Sequence, residues 1–503
     1  MLGVWRSHAE YQSFLINNTL LLYINSKIVV EFYSEALSKL YILDLDIIKP
    51  LLEPCFSSTG KPSNQQPEIF RSFILMSELH YNSISEWVKF LKANAILCCA
   101  IGVSPSNVPG VGSHYDFVDR LWLENPEVKQ KRQDSLHPFK SKPRKKLGKN
   151  QKQPPRHPGI IKKLADLALK GQSFENRPER LFQQIFAKVA VEPSAKAGLL
   201  GDTNDLTISG DGTCIITGGS PFGIKTCDCV SKGIYNCHCH RRFSDADACR
   251  GWDSYHEVWY YGHCGYFLVV YNPNLKLDLP IYLRLVQAQR YDGVTAIVAL
   301  SEVRKLYPYF NFGKFLGDGA HDNNPTYDLL QAWNMKAIIP LNKKSTGNFK
   351  YDAPIKVDDN GAPICIGEIP MIYDYYDKVR HRIKWRCPFA KGKIKSCSCK
   401  EKCSPSAYGR TIYTKPKWDP RFFTAVPRGS DKWHKDMNKR TSSERVNKRI
   451  LNDYNMEEAH ARGKMRWSWW TAVHSINIHL DARIKVSKFD IITILDKLIL
   501  KTA

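Results

Sequence analysis

Between residues 129 and 156 the chain carries eleven Lys and Arg against a single acid, Asp134, with prolines at 138, 143, 154 and 155. Proline fixes φ and removes a backbone donor, so prolines at this spacing forbid a regular element. The segment cannot belong to a core. It divides the chain into residues 1–125 and 158–503, joined by a basic linker at 126–157. Such a run is commonly just solvated spacer. In a chain this basic it also suits a strap that tracks phosphates, with Arg144, Lys145 and Lys146 as candidate contacts, because each neutralised phosphate releases counterions.

The whole chain points to a polyanionic partner. Lys and Arg number 73 against 49 Asp and Glu, a formal charge of +24, more than solubility alone requires. Hydrophobic residues at 43% exclude a disordered chain, and 503 residues suffice for two to four domains. Met1 to His8 lacks the charged-then-apolar layout of a signal peptide. The most apolar early stretch, Phe14 to Tyr33, is broken by Asn17, Asn18, Asn25, Lys27 and Glu31, too polar to span a bilayer. A cytoplasmic protein is expected, with its 15 cysteines as thiols or metal ligands rather than disulfides.

Residues 1–125 read as a helical amino-terminal domain. Ser83-Ile84-Ser85-Glu86 has capping-box spacing, and Pro67 suits a first helical turn. Short helices joined by turns suit either a DNA-reading module or a plain bundle. Over 158–340 strands and helices alternate, which predicts an α/β core. Leu206–Ser209 reads as a strand ending at Asp211; Trp259–Gly262 and Tyr266–Tyr271 as hairpin strands; Ala296–Tyr307 and Tyr327–Trp333 as helices. Residues 341–430, richer in Gly, Pro, Cys and β-formers, read as a strand-rich insertion, and 431–503 turn helical again, from Lys435 to His460 and near Trp467 to His479.

Three carboxylates stand out by context. Asp211 and Asp318 each follow an apolar strand, in Ile208-Ser209-Gly210-Asp211-Gly212 and Phe315-Leu316-Gly317-Asp318-Gly319. Strand ends open into the crevice where α/β sheets bind ligands. Glu444 lies on a predicted helix with Arg440 and Lys448 four residues to either side, on one face. Asp-Gly also forms turns, and Arg440, Glu444 and Lys448 also suit a surface salt-bridge ladder.

The blocks Gly317-Asp318-Gly319-Ala320-His321-Asp322-Asn323 with Ala337-Ile338-Ile339-Pro340, Arg440-x3-Glu444, and Asn107-Val108-Pro109 through Phe117 to Leu121 together resemble the DDE transposases of bacterial insertion sequences, over roughly residues 65 to 480. The resemblance implies a ribonuclease-H-like catalytic core with a strand-rich insertion between the second and third acids. It implies Asp211, Asp318 and Glu444 as catalytic ligands of Mg²⁺ or Mn²⁺, with Asp322 in reserve for Asp318. Arg440 and Lys448 would neutralise phosphate. Double-stranded DNA, both element ends and target, would be the partner, a homodimer the working form and a bacterial nucleoid the location. Two positions depart from the family signature: Met437 stands where Tyr is common and Leu451 where Lys is common. Alternatives are a metal-dependent nuclease that does not transpose and an inactive zinc-containing DNA-binding regulator.

Cysteines cluster twice. Cys227, Cys229, Cys237 and Cys239, with His238 and His240, crowd one segment; Cys387, Cys397, Cys399 and Cys403 crowd another. Zinc takes four N or S ligands, so each set is a candidate structural site. The second, flanked by Lys391, Lys393, Lys395, Lys400 and Lys402, is the favoured tetrathiolate.

Overall fold

Runs of β-branched and aromatic residues organise the carboxy-terminal half into a mixed sheet. The computed structural model describes residues 1–125, 127, 158–172, 174, 176–239, 241–254, 256–342, 355–399, 403–459 and 461–502; the linker with Arg144, Lys145 and Lys146 lies outside them. The strands are β1 (Leu206–Ile216), a short pair β2 (Ile224–Lys225) and β3 (Arg241–Arg242), β4 (Cys249–Asp253), β5 (Val258–Asn272), β6 (Leu277–Gln287), β7 (Phe312–Leu316) and β8 (Lys336–Ile338). The sheet runs β4-β5-β1-β7-β8, with β6 also pairing β5. β5 is antiparallel to β1, β4 and β6, whereas β7 is parallel to β1 and β8 to β7. The molecule is therefore a mixed α/β protein with a helical amino-terminal region.

Two strand expectations are corrected. The runs Trp259–Gly262 and Tyr266–Tyr271 belong to one 15-residue strand, β5. Gly262 is no turn: a Cβ there would meet the Ile215 carbonyl oxygen at 2.0 Å, so this glycine lets β1 approach. Asp211 likewise does not end its strand, because β1 continues to Ile216. Its neighbour Gly212 pairs with Tyr266 inside the ladder.

The predicted helix signals are present. Pro67 sits in the first turn of the Gln66–Glu78 helix, and the Ser83 hydroxyl caps Ile84–Ala93 by accepting from the Glu86 N–H. These helices have no core of their own. They close, in one continuous core with the sheet, on the 24-residue helix Lys464–Ser487. Its middle, Trp469 to Leu480, is buried on every face, polar residues included, as a central element must be. Phe70, Phe73, Phe117 and Phe182 ring Trp469 at 5.6, 5.4, 5.6 and 5.1 Å between centroids. Burying each Phe side chain contributes about 1.5–3 kcal/mol. Lys39, buried between Glu78 and Asp481, pairs with both and ties the two regions electrostatically. No helix among the described residues is long and apolar enough to cross a membrane.

Two histidines of the central helix are buried neutral. The ring of His474 bonds the Ser77 hydroxyl at 2.7 Å, and that of His479 contacts Ser194 at 2.8 Å and the Pro280 carbonyl at 2.7 Å. Burial drives their pKa values down from 6.5, to about 3 and about 4. A base held neutral in the fold and protonated in the unfolded chain stabilises fully above its unfolded pKa and progressively less below it. Acidifying from about pH 7.5 to about pH 5 is therefore expected to cost about 2 kcal/mol per histidine. Urea midpoints at the two pH values, for the parent and for H474Q/H479Q, measure it. A parent midpoint that does not fall on acidification contradicts the assignment.

The strand-rich insertion is a separate three-stranded antiparallel sheet, β9 (Ile372–Asp377), β10 (Arg382–Arg386) and β11 (Thr411–Thr414), ordered β11-β10-β9. Its own small core holds Ala362, Cys365, Met371, Ile383, Trp385, Cys399 and Phe423. Arg421 fastens it to the main sheet through a buried bidentate pair with Asp322 at 2.8 and 2.7 Å.

Candidate functional site

The parallel register of β1 and β7 brings two sequence-distant carboxylates together. Ser209 pairs with Leu316, the last pair of the register, so Asp211 and Asp318 both lie two residues beyond it at the same end of the sheet, close enough for their charges to interact. Adjacent strands lie about 4.8 Å apart. Alternation along β1 sorts its neighbours. Ser209, on the Asp211 face, bonds Ser442 of the Thr441–Lys448 helix at 2.7 Å. That helix carries Glu444 across the sheet. Arg440, just before it, pairs with Glu444 and brings Nη1 to 4.0 Å from Asp211 Oδ2. The helix is held in place by Arg445, bidentate to Asp278 on β6 at 2.6 and 2.7 Å. Lys448 is exposed one turn beyond Glu444.

Asp318 caps the short 3₁₀ turn Gly319–His321, accepting from the Ala320 N–H at 3.0 Å. Its Oδ1 also meets His321 Nδ1 at 2.7 Å, and His321 Nε2 meets the Tyr266 hydroxyl at 2.9 Å. His321 is fully buried, so this chain of bonds fixes the Asp318 carboxylate from beneath. Asp322, the reserve candidate, is consumed elsewhere. Besides Arg421 it accepts from Tyr327 Oη at 3.0 Å and the Asn342 N–H at 2.7 Å.

A fourth acid lies close by, on the opposite face of β1. Asp292 opens the Asp292–Leu306 helix and lies over Gly212: a Cβ on that glycine would meet Asp292 Oδ1 at 2.5 Å. Its Oδ1 is also 3.9 Å from Cys264 Sγ. Sequence reading missed it because the helix was placed from Ala296, which left Asp292 in a preceding loop. The available signal was an acid in the first helical turn after paired strands, where the helix dipole favours negative charge.

The charges interact strongly. Burial pushes the Asp211 carboxyl up to about 7, with Asp292 and Asp318 adding to the rise and Arg440 opposing it. Burial also raises Asp292. Burial acts to raise Asp318 too, but the bond and charge of His321, the Ala320 N–H and Arg440 outweigh it and hold that carboxyl low. The corner thus gathers carboxylates with an excess of negative charge, though among the described residues their oxygens do not fall within one metal-sized group. The chain matches no protein-family model and no curated protein.

The second candidate centre is the loop between β2 and β3. Cys227, Cys229, Cys237 and Cys239 place their sulfurs all within 4.8 Å of one another. The Cys227–Cys237 and Cys229–Cys239 pairs are 3.5 and 3.6 Å apart. Four bonds of about 2.3 Å to a tetrahedral zinc ion put sulfurs about 3.7 Å apart, so this group could hold such a metal. His240 lies outside the described residues.

The favoured set is corrected. Cys397 and Cys399 are 3.0 Å apart, but Cys387 and Cys403 do not join them in such a group among the described residues. Strand pairing decides this. Cys387 continues β10, bonds the Arg410 carbonyl through its N–H at 3.0 Å, and packs beneath Gly409. Cys399 shares the small insertion core with Cys365 instead.

Proposed function

We propose that the chain is a DNA transposase, a metal-dependent enzyme that cleaves and rejoins phosphodiester bonds at the ends of a mobile element, built on a ribonuclease-H-like core. The observation that carries this is the corner where Asp211, mid-strand in β1, meets Asp318 at the end of parallel β7 and faces the Arg440–Glu444 pair. A central β1 flanked by antiparallel β5 and parallel β7 supports the proposed core.

The donor set is of the chemical type a hard divalent cation takes, although among the described residues these carboxylates do not fall within one metal-sized group, so a cation would have to draw them together. It is all oxygen, and the raised Asp211 carboxyl marks an excess of negative charge that a cation would offset. Asp211, Asp318 and Glu444 would hold Mg²⁺ or Mn²⁺. When bound, such ions supply an activated water or 3′-hydroxyl and stabilise the leaving oxygen. The chain's own residues orient and neutralise. His321 holds Asp318 in position through a 2.7 Å bond. Arg440 and Lys448 would take phosphate oxygens, with Arg440 released from Glu444 to do so. Bringing two element ends together calls for a dimer on double-stranded DNA.

The test is a cleavage and joining assay. The purified full chain is incubated with a fragment carrying the inverted repeats that flank its coding region, with Mg²⁺, Mn²⁺ or EDTA. Metal-dependent nicking at the repeat, followed by joining of the 3′ end to a plasmid target, is expected. Nicking without joining would reduce the protein to a nuclease. DNA binding with no nicking in either metal would leave only a binding protein.

A further inference from the structure

At the tip of the insertion, Arg380 and His381 of the β9–β10 turn converge with Lys415 and Lys417, which follow β11. With Tyr376, Pro416 and Gln331 they line a concavity of about 390 Å³. Four cationic or protonatable side chains meet there and no carboxylate lines it. Several of the insertion's other cations are differently placed. Along the adjacent face of β10, Arg382 pairs with Asp377 at 3.2 Å and Lys384 with Asp374 at 3.6 Å. Their charges also lie over tyrosine rings, Arg382 over Tyr413 at 3.9 Å and Arg386 over Tyr408 at 3.6 Å. Those cations are balanced within the fold. In the hollow, Arg380 lies near Asp377, whose carboxylate its N–H bonds at 3.0 Å, but Lys415 and Lys417 have no ion-pair partner among the described residues, and two such charges side by side favour an anion there.

We propose that this concavity seats the phosphate backbone of duplex DNA, on the assumption that the protein acts on DNA as set out above. The placement fits. Gln331 belongs to the Asn324–Ala332 helix, which begins just after the Asp318 turn. Seven residues of helix put the concavity about 10 Å along from that turn, roughly three base-pair rises. The insertion is clamped there, because the Arg421–Asp322 pair anchors it to the turn before that helix and a 2.7 Å bond from Arg428 to the Tyr327 hydroxyl anchors it to the helix itself. Lysine and arginine charges on a rigid mount would act as a register stop for the duplex while its scissile phosphate lies at the carboxylate corner. Pro416, between the two lysines, limits how far they can turn away.

The experiment measures duplex affinity by fluorescence anisotropy across a salt series, for the full chain and for K415Q/K417Q and K415R/K417R. Two neutralised phosphate contacts predict a salt slope lower by about two and an affinity about tenfold weaker at moderate salt in the glutamine variant. The arginine variant should keep the parent's slope, which separates lost charge from lost folding. Competition by inorganic phosphate distinguishes the backbone of a duplex from a free phosphate ion. Displacement of the duplex from the parent but not from K415Q/K417Q, at millimolar phosphate, would reassign the hollow to the small ion. A parent that binds duplex with the same slope as K415Q/K417Q overturns this site and leaves the carboxylate corner untouched. A parent that binds no duplex overturns both. Binding of an acidic polypeptide in preference to DNA would overturn the DNA assignment in favour of a protein partner.

Discussion

Replacing Asp211 by Asn is expected to abolish metal-dependent cleavage while making the protein more stable. Asn keeps the shape of the side chain and removes the charge that would bridge the ions, so the chemical step should slow by at least about 10³-fold, or about 4 kcal/mol. The stability gain follows from the raised carboxyl. Its pKa moves from 3.8 to about 7 because Asp211 is buried near Asp292 and Asp318. An acid whose folded pKa is raised stabilises fully below its unfolded value and loses that contribution as pH rises through the folded one. At about pH 8 the parent has lost it all, a deficit of up to ~4 kcal/mol that Asn does not suffer. That figure already includes the opposing pull of Arg440, 4.0 Å away. Thermal unfolding of the metal-free pair should show D211N melting higher near pH 8, with the gap closing toward pH 4. Added Mg²⁺ should raise the parent and leave D211N unmoved. Glu444, whose side chain is 48% exposed, is a contrast: E444Q should lose activity without gaining stability. A D211N protein that cleaves normally would remove the residue from the site.

The opposite signs of the two effects separate function from architecture. A residue kept for packing loses stability when changed. One kept for chemistry holds a charge that the fold would shed. Asp292 belongs with Asp211 by this criterion, since it too is buried and raised. D292N should therefore also stabilise near neutral pH, and its effect on cleavage decides whether it supports the ions or only shapes their field.

Context alone brought out Asp211, Asp318 and Glu444, because acids beside apolar strands and a charged helix face leave local marks. The parallel β1–β7 pairing brings Asp211 and Asp318 to one end of the sheet, and the Ser209–Ser442 bond docks the Glu444 helix there; both are contacts between residues more than 100 apart that no local pattern contains. The same limit hid the amino-terminal packing. Ser77 meeting His474 and Lys39 meeting Asp481 are contacts nearly 400 or more residues apart in sequence, so the first helices read as a domain of their own. Gly212 misled in another way. Asp-Gly is a turn dipeptide by composition, yet here the missing side chain makes room for Asp292 within a continuous strand. The cysteines reversed their expected ranking for a related reason. Cys-x-Cys pairs on both sides of a short hairpin are close once the hairpin forms, whereas the Cys387 backbone extends the β10–β11 ladder through its bond to the Arg410 carbonyl, away from a four-sulfur group.

Removing zinc should release the β2–β3 loop without collapsing the protein. The loop has little else to hold it. Its two strands are two residues each, and Phe222, Ile224, Ile234 and Tyr235 are exposed rather than packed. A segment this short and this poor in buried apolar area does not order unaided, and a thiolate-bound zinc ion contributes on the order of 10–16 kcal/mol in small metal-folded units. Binding requires thiolates, and Cys227 is already drawn down to about 7 by the Cys229 N–H and the neighbouring Cys237 thiol. The base of the loop is fixed independently: Asp245 accepts from Thr217 Oγ1 at 3.0 Å and contacts His263 Nε2 at 3.2 Å. Loss of metal should therefore be local. Full chain purified without chelator is expected to carry about one zinc, an ion the four-sulfur group could hold. Cys237→Ser should lose it and Cys387→Ser should keep it. Limited proteolysis should then cut C237S, or the chelated parent, between residues 220 and 243, while the global melting temperature hardly changes. DNA affinity should fall, since Lys225, Lys232, Arg241 and Arg242 would no longer be held together, and nicking should remain dependent on Mg²⁺. A parent free of zinc, or zinc lost from C387S but retained by C237S, would move the metal site away from this loop.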